Sequence, residues 1–220
     1  MPKIRTQPRA DLSTRDRILT AAGMEFVSHG FAGARMQRIA EACGANKAMI
    51  YYYFGSKENL YRLVIGDVFS RIFKNIEGII SDKAPLEEKI RNLAELYVKI
   101  YSENTGFLRL MMSEIAAGGE VLSGVLEELE GRIRKFDFPG ALNDTLRQGQ
   151  RRGEVRKVDP RHTLMSLVGM SAAFILFRPV ARVVLSLDER EAERFAKERA
   201  GHIADLLLHG ILKAEKGGDR

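Results

Sequence analysis

The chain has 220 residues, 45% of them hydrophobic, enough to bury a sizeable core in one large or two small domains. A single cysteine, Cys43, excludes an internal disulfide framework and suits a reducing compartment. The formal net charge is +6, and residues 1–62, with ten Lys/Arg against five Asp/Glu, hold +5 of it. A basic excess gathered at one end is the electrostatic footprint of a nucleic-acid surface.

Six prolines and the scarcity of alternating β-branched runs predict an all-α protein. Residues 1–12, with Lys3, Arg5 and Arg9, read as a basic arm that lacks the apolar stretch of a secretory signal. Ser13 opens the first helix, with Asp16 completing a capping pair. Ile18, Leu19, Ala22 and Phe26 form its inner face, and His29-Gly30 ends it. Met36, Ile39, Ala40 and Cys43 recur at helical spacing and give a short second helix one apolar side. Gly44 supplies the left-handed residue that closes a helix, and Asn46 caps a third. Ile50 and Phe54 turn inward on that third helix, leaving Lys47, Ala48, Met49, Tyr52 and Tyr53 outward. Two short helices at a steep angle about a tight turn make a helix-turn-helix, whose second helix enters a major groove.

The sequence IAEACG at 39–44, continued by ANKAMIYYYFGSKENL at 45–60, resembles the DNA-binding signature of the TetR family of bacterial transcriptional regulators. Gly30-Phe31 fits ahead of it, and the match covers residues 14–62. The resemblance implies that Tyr51, Tyr53 and Lys57 contact phosphate. By the same resemblance Lys47, Ala48 and Tyr52 face base edges, and Gln37 reaches in from the preceding helix. Met49 offers a thymine methyl an apolar contact, and Asn46 completes the surface. The family often has Ser or Thr where this chain has Ala34-Arg35; Arg35 takes over the phosphate contact. A homodimer on a double-stranded operator, with a helical second domain that takes a small apolar or amphipathic effector, is implied as well.

Ser56 caps a fourth helix. Leu60, Val64, Val68, Ile72 and Ile76 line one side of it and Ile65, Phe69, Phe73 and Ile80 a second, the pattern of a helix buried between two neighbours. It ends at Ser81-Asp82-Lys83, and Pro85 opens a fifth helix over residues 86–103, with Ile90, Leu93, Leu96, Tyr97 and Ile100 inward. Phe107 to Ala117 is a short apolar helix closed by Gly118-Gly119. Residues 120–136 are helical, Phe136 to Gly140 interrupt the pattern, and a further helix runs to Gly153. Pro160 starts a helix that is apolar nearly all round from Leu164 to Phe177. Those fourteen residues fall short of the roughly 20 that span a bilayer, so it reads as a buried core helix, stopped by Arg178-Pro179. The last helix begins at Asp188 with Glu191 in a capping box.

The expected division is a DNA-binding domain at 13–55, a helical effector-binding and dimerisation domain at 56–213 and a tail at 214–220. Leu167, Met170, Phe174, Ala196, Ala200, Ile203, Leu207 and Ile211 form the expected dimer interface. Phe69, Phe73, Phe107, Met111, Met112, Phe136, Phe138, Phe174 and Phe177 are the candidate effector surface. His202, Asp205 and His209 share a helix face and read as surface. No metal, cofactor or catalytic constellation is expected. The expected function is a ligand-responsive regulator of transcription, a cytoplasmic repressor at the nucleoid with no membrane partner. The alternatives are an activator or a ligand-independent regulator of the same fold, or a helical small-molecule binding protein.

Overall fold

The computed structural model describes residues 13–136, 138–153 and 155–211 and, outside 130–142 and 211, their side chains. The basic arm at 1–12 and the tail at 214–220 lie outside the described residues. In chain order the helices are α1 (Thr14–Gly33), α2 (Met36–Cys43), α3 (Lys47–Phe54), α4 (Lys57–Ser81) and α5 (Leu86–Glu103). They continue with α6 (Thr105–Ala116), α7 (Glu120–Phe136), α8 (Phe138–Arg152), α9 (Pro160–Val184) and α10 (Glu189–Ile211). The helices group into two compact units.

The first unit is built from two separate stretches, Met1–Phe73 and Glu103–Arg132. Ser13 caps α1 by accepting from the Asp16 N–H at 3.2 Å, and its hydroxyl donates to the Asp16 carboxylate at 2.7 Å. Gly30 adopts φ 66, ψ 178 and bends the chain, which regains one more helical turn before Ala34. The sequence reading placed the end at Gly30. A positive φ breaks the helix there, but residues 31–33 stay helical and the Ala34 N–H closes a bond to the Gly30 carbonyl at 3.2 Å. Ile18, Ala22, Phe26, Ile39, Ile50, Phe54, Leu60, Tyr61 and Ile65 are buried in one core, joined by Leu110 and Met111 of α6 and Val125 of α7. This core therefore extends past α1, α2 and α3 into α4, α6 and α7. α6 lies so close on α1 that Val27 leaves no room for a Cβ at Gly106.

The second unit is Lys74–Ser102 with Ile133–Arg220. The buried Lys89 ammonium of α5 donates to the Ile80 carbonyl at 2.8 Å, in the last turn of α4, where the helix dipole favours a cation. Arg91 of α5 bonds Asp205 of α10 at 2.9 Å. Asp188 and Glu191 exchange hydrogen bonds at 2.9 and 2.8 Å, a reciprocal capping box at the start of α10. α9 and α10 form an antiparallel hairpin. The rings of Phe174 and Phe195 lie 4.8 Å apart, and one turn back on α9 and one turn on along α10, Arg199 donates to the Met170 carbonyl at 3.3 Å.

Two features of α9 correct the sequence reading. The helix runs through Pro179 to Val184 instead of stopping at Arg178-Pro179. Pro179 gives up its own N–H and crowds the Ile175 carbonyl, yet the helix continues for another five residues. Nor is α9 buried all round. Leu167, Ser171 and Phe174 are buried, but Met165, Phe177, Val180, Val183 and Val184 are each more than half exposed. Composition gave the apolar character of the helix; only packing distinguishes the side spent on α10 from the side left open.

Candidate nucleic-acid interface

α2 and α3 are short, so their ends decide their geometry. Gly44 sits at φ 66, ψ 32, and the N–H groups of Gly44 and Ala45 bond back to Glu41 and Ala40 at 3.4 and 3.0 Å. That αL closure turns the chain without a strained Cβ. Asn46 opens α3, its side-chain oxygen accepting from the Met49 N–H at 2.7 Å. Gly55 then ends α3, donating to Tyr51 O at 2.8 Å. Ile50 and Phe54 are fully buried and fix the roll of the helix. Roll determines the rest: Lys47, Ala48, Met49, Tyr51, Tyr52 and Tyr53 are all exposed.

Tyr52 projects furthest, with 85% of its surface open. Its ring meets that of Tyr53 edge-on at 5.4 Å, which holds both phenols in place. The Lys47 ammonium lies 5.8 Å above the Tyr51 ring. Arg35 and Gln37, at the start of α2, are exposed as well, and the Gln37 amide donates to Glu41 at 2.9 Å. Asn46 has its oxygen committed to the cap, so only its NH₂ is left to donate outward. Lys57 is half-buried, its ammonium 4.7 Å over the Phe31 ring and 3.5 Å from the Ala32 carbonyl. These positions put a cation, three phenols and two small or flexible apolar side chains on under two and a half turns of helix, the mixture that phosphate oxygens and base edges accept.

Two supports of this surface were absent from the sequence reading. Glu25 of α1 is buried, and one of its oxygens accepts from the Arg35 N–H at 2.9 Å and from Arg38 Nε at 2.7 Å. Its other oxygen faces His29 Nδ1 at 3.3 Å. Burial pushes the Glu25 carboxyl up, but the Arg38 hydrogen bond and charge and the Arg35 N–H outweigh it and hold the group below its ordinary value. Glu25 thus stitches α1 to the first turn of α2. The signal was present: an acid among Ile18, Ala21, Ala22 and Phe26 on one face is a buried carboxylate that needs a partner. The second support is Tyr61 of α4, fully buried, whose hydroxyl donates to Glu114 of α6 at 2.7 Å. Its ring packs against Phe26 at 4.8 Å and Phe31 at 5.0 Å. Burial and the Glu114 carboxylate both push the phenol up, so it stays a neutral donor.

The model for bacterial regulatory proteins of the tetR family matches residues 18–64, and that for the tetracyclin repressor-like C-terminal domain matches residues 87–207. The chain belongs to the TetR family of bacterial transcriptional regulators. Like other TetR-family members it is a helix-turn-helix DNA-binding regulator and not an enzyme. It is 27% identical to the HTH-type transcriptional regulator RutR of Escherichia coli strain K12 over 204 residues, 92% of each chain. It is also 27% identical to the HTH-type transcriptional repressor NicS of Pseudomonas putida over 201 residues, 90% of this chain and 92% of NicS. In fold it matches FadR of Bacillus subtilis, solved with stearoyl-CoA, at a TM-score of 0.66 and 17% identity over 89% of this chain and 98% of that one.

The expected effector and dimer residues are distributed as follows. Phe69 stacks with Phe73 at 6.0 Å and meets Phe107 edge-on at 6.1 Å, so these three come together in the first unit, where Met111 is core and Met112 exposed. Phe174 is buried against Phe195 in the second unit, while Phe177 is exposed. Phe136 and Phe138 fall outside the described side chains. Leu167, Ala200, Ile203 and Leu207 are buried inside the chain, in or beside the α9–α10 seam, with Met170 and Ala196 half-buried; Ile211 lies outside the described side chains. The apolar side chains that α9 leaves open are a different set, Met165, Phe177, Val180, Val183 and Val184, and on α10 Leu206 is exposed. Of the histidine group, Asp205 is paired with Arg91, and His209 bonds the Asp205 backbone carbonyl at 2.7 Å.

Proposed function

We propose that the protein represses transcription as a homodimer that places two α3 helices in successive major grooves of a pseudo-palindromic operator, and that a small apolar or amphipathic effector releases it. The observation that carries this reading is α3 itself: eight residues capped at both ends, two side chains buried and six presented. A helix so short has little stability of its own, and Gly44, Asn46, Gly55 and Glu25 all serve to hold it in place. NicS is named a repressor, which favours repression over activation here. The working site is then the nucleoid in the cytoplasm.

The open strip on α9 and Leu206 supplies the second copy's docking face. At 25 residues α9 is long and apolar enough to cross a bilayer. Yet α10, packed along it, carries the exposed charges Glu193, Arg194, Lys197 and Glu198, which a hydrocarbon environment rejects. A second copy, with the same strip, is the fitting partner.

For the effector, the half-buried trio Phe69, Phe73 and Phe107 offers adaptable aromatic surface. FadR, with stearoyl-CoA, shows what a protein of this fold can hold. The effector acts by favouring a tilt of α4 that respaces the two α3 helices, and Tyr61–Glu114 ties that tilt to α6. It releases the protein only in proportion to its differential affinity for the two states. Equal effector affinity for free and operator-bound protein would therefore overturn this mechanism.

Two substitutions separate the kinds of DNA contact. Tyr52→Ala is expected to relax base preference at one operator position, at a cost of about 1–3 kcal/mol on the preferred sequence alone. Uniform loss on every duplex tested would remove Tyr52 as a base reader. Lys57→Ala is expected to weaken binding to all duplexes alike and to lower the slope of log K against log salt by about one. An unchanged slope would place Lys57 off the phosphate backbone and leave it as packing for Phe31.

A further inference from the structure

Arg15 is exposed in the first turn of α1, and among the described residues it makes no hydrogen bond or ion pair. What holds it is a ring. Its guanidinium lies 5.6 Å from the ring centre of Phe54, the last residue of α3. The neighbouring acid on its own helix, Asp16, is engaged by the Ser13 hydroxyl. A guanidinium resting on a ring keeps its full charge and all its donors. Arg38 and Arg62, by contrast, spend their charge on Glu25 and Glu128.

The ring contacts place Arg15 beside the presented face of α3. The Phe54 ring lies 6.2 Å from that of Tyr53, and Tyr53 lies 5.4 Å from Tyr52. Arg15, Phe54, Tyr53 and Tyr52 therefore form one row. It runs from α1 past the C-terminal end of α3 to the most exposed side chain of that helix. At the other end of α3 the Lys47 ammonium lies over the Tyr51 ring, again with no carboxylate among the described residues. Each end of α3 thus carries a cation that nothing in the described chain neutralises. A helix in a major groove runs between two sugar–phosphate walls, and a cation held at its end is presented to one of them.

We propose that Arg15 is a phosphate-contacting residue, supplied by α1 from outside the helix-turn-helix, that grips the DNA backbone beyond the C-terminal end of α3. This rests on the reading that α3 enters the major groove. Stacking on Phe54 orients the planar fork of the guanidinium, which suits two oxygens of one phosphate. Such a contact positions the protein and reads no base.

The test is titration of the full chain against a mixed-sequence DNA duplex over a range of salt, followed by fluorescence anisotropy, with helicity followed by circular dichroism. Wild type is compared with Arg15→Gln, Arg15→Lys and Lys47→Ala. Arg15→Gln is expected to lower the slope of log K against log salt by about 0.9 for each chain bound, so its deficit shrinks about three- to fourfold per chain for every fourfold rise in salt. Arg15→Lys keeps the charge and is expected to keep the slope. An unchanged slope in Arg15→Gln overturns the proposal, and so does a slope that Arg15→Lys loses equally. Should Arg15→Gln lose helicity, Arg15→Met, whose stem still covers the Phe54 ring, is read by the same criterion. Loss of helicity in both makes Arg15 a packing residue and overturns the proposal as well. Lys47→Ala separates the two readings. A slope lowered by Lys47→Ala but not by Arg15→Gln removes Arg15 alone, whereas a slope lowered by neither removes α3 from the groove and Arg15 with it.

Discussion

Glu25→Ala is expected to destabilise the DNA-binding unit by about 2 kcal/mol and to abolish operator binding well before the rest of the chain unfolds. The substitution leaves the Arg35 N–H and the Arg38 guanidinium without their shared acceptor. Removing one partner of a fully buried ion pair costs about 3–5 kcal/mol. Arg38 keeps 36% of its side chain in water, which screens the pair and argues for the smaller figure. The effect is local, because α2 has no side-chain cap at Arg35 and depends on Glu25 for its first turn. The pH dependence has a definite sign. The folded carboxyl titrates below the ordinary 4.5, so its contribution is complete above that value and fades as pH falls through the lower folded value. Urea unfolding at pH 7 should therefore separate wild type from Glu25→Ala, and the gap should close on strong acidification. Coincident curves at pH 7 would refute the stitch.

Val184→Glu is expected to dissociate the dimer and to weaken operator binding at least about 100-fold, some 2.7 kcal/mol. Val184 is 72% exposed in the single chain, so the substitution removes no internal packing and the helices should persist. In a dimer closed over the strip the new carboxylate must leave water, and symmetry puts two of them there. A monomer offers one α3 and keeps one half-site. Sedimentation and an operator titration on the same sample check both parts. A Val184→Glu protein that dimerises like wild type would move the interface off this strip.

Local signals carried most of the fold. Capping residues at Ser13, Asn46 and Asp188 and the αL glycine at 44 each act within four residues, so their effects are legible before any packing is known. The inward pair Ile50 and Phe54 follows from helical period, and with it the outward face of α3. What escaped the sequence depended on distance along the chain. Glu25 and Arg38 lie 13 residues apart, and Tyr61 and Glu114 lie 53 apart. No periodicity joins such pairs. The seam of α10 was visible as a stripe, but a stripe does not say whether it faces its own chain or another. Leu167, Ile203 and Leu207 turned out to be buried inside the chain, and the open strip sits elsewhere on α9. Pro179 misled because a proline inside a helix costs stability without always ending the helix.

The split make-up of the first unit bears on how the protein is born. Leu60, Tyr61, Val64 and Ile65 leave the ribosome long before Leu110, Met111, Glu114 and Val125, which complete their core. At about 5–20 residues per second, the 53 residues from Tyr61 to Glu114 take roughly 3–10 s to synthesise. During that time the nascent chain carries an unfinished apolar surface, the kind of patch that chaperones hold. The helix-turn-helix is thus translated early, but its core closes only after α6 and α7 have followed.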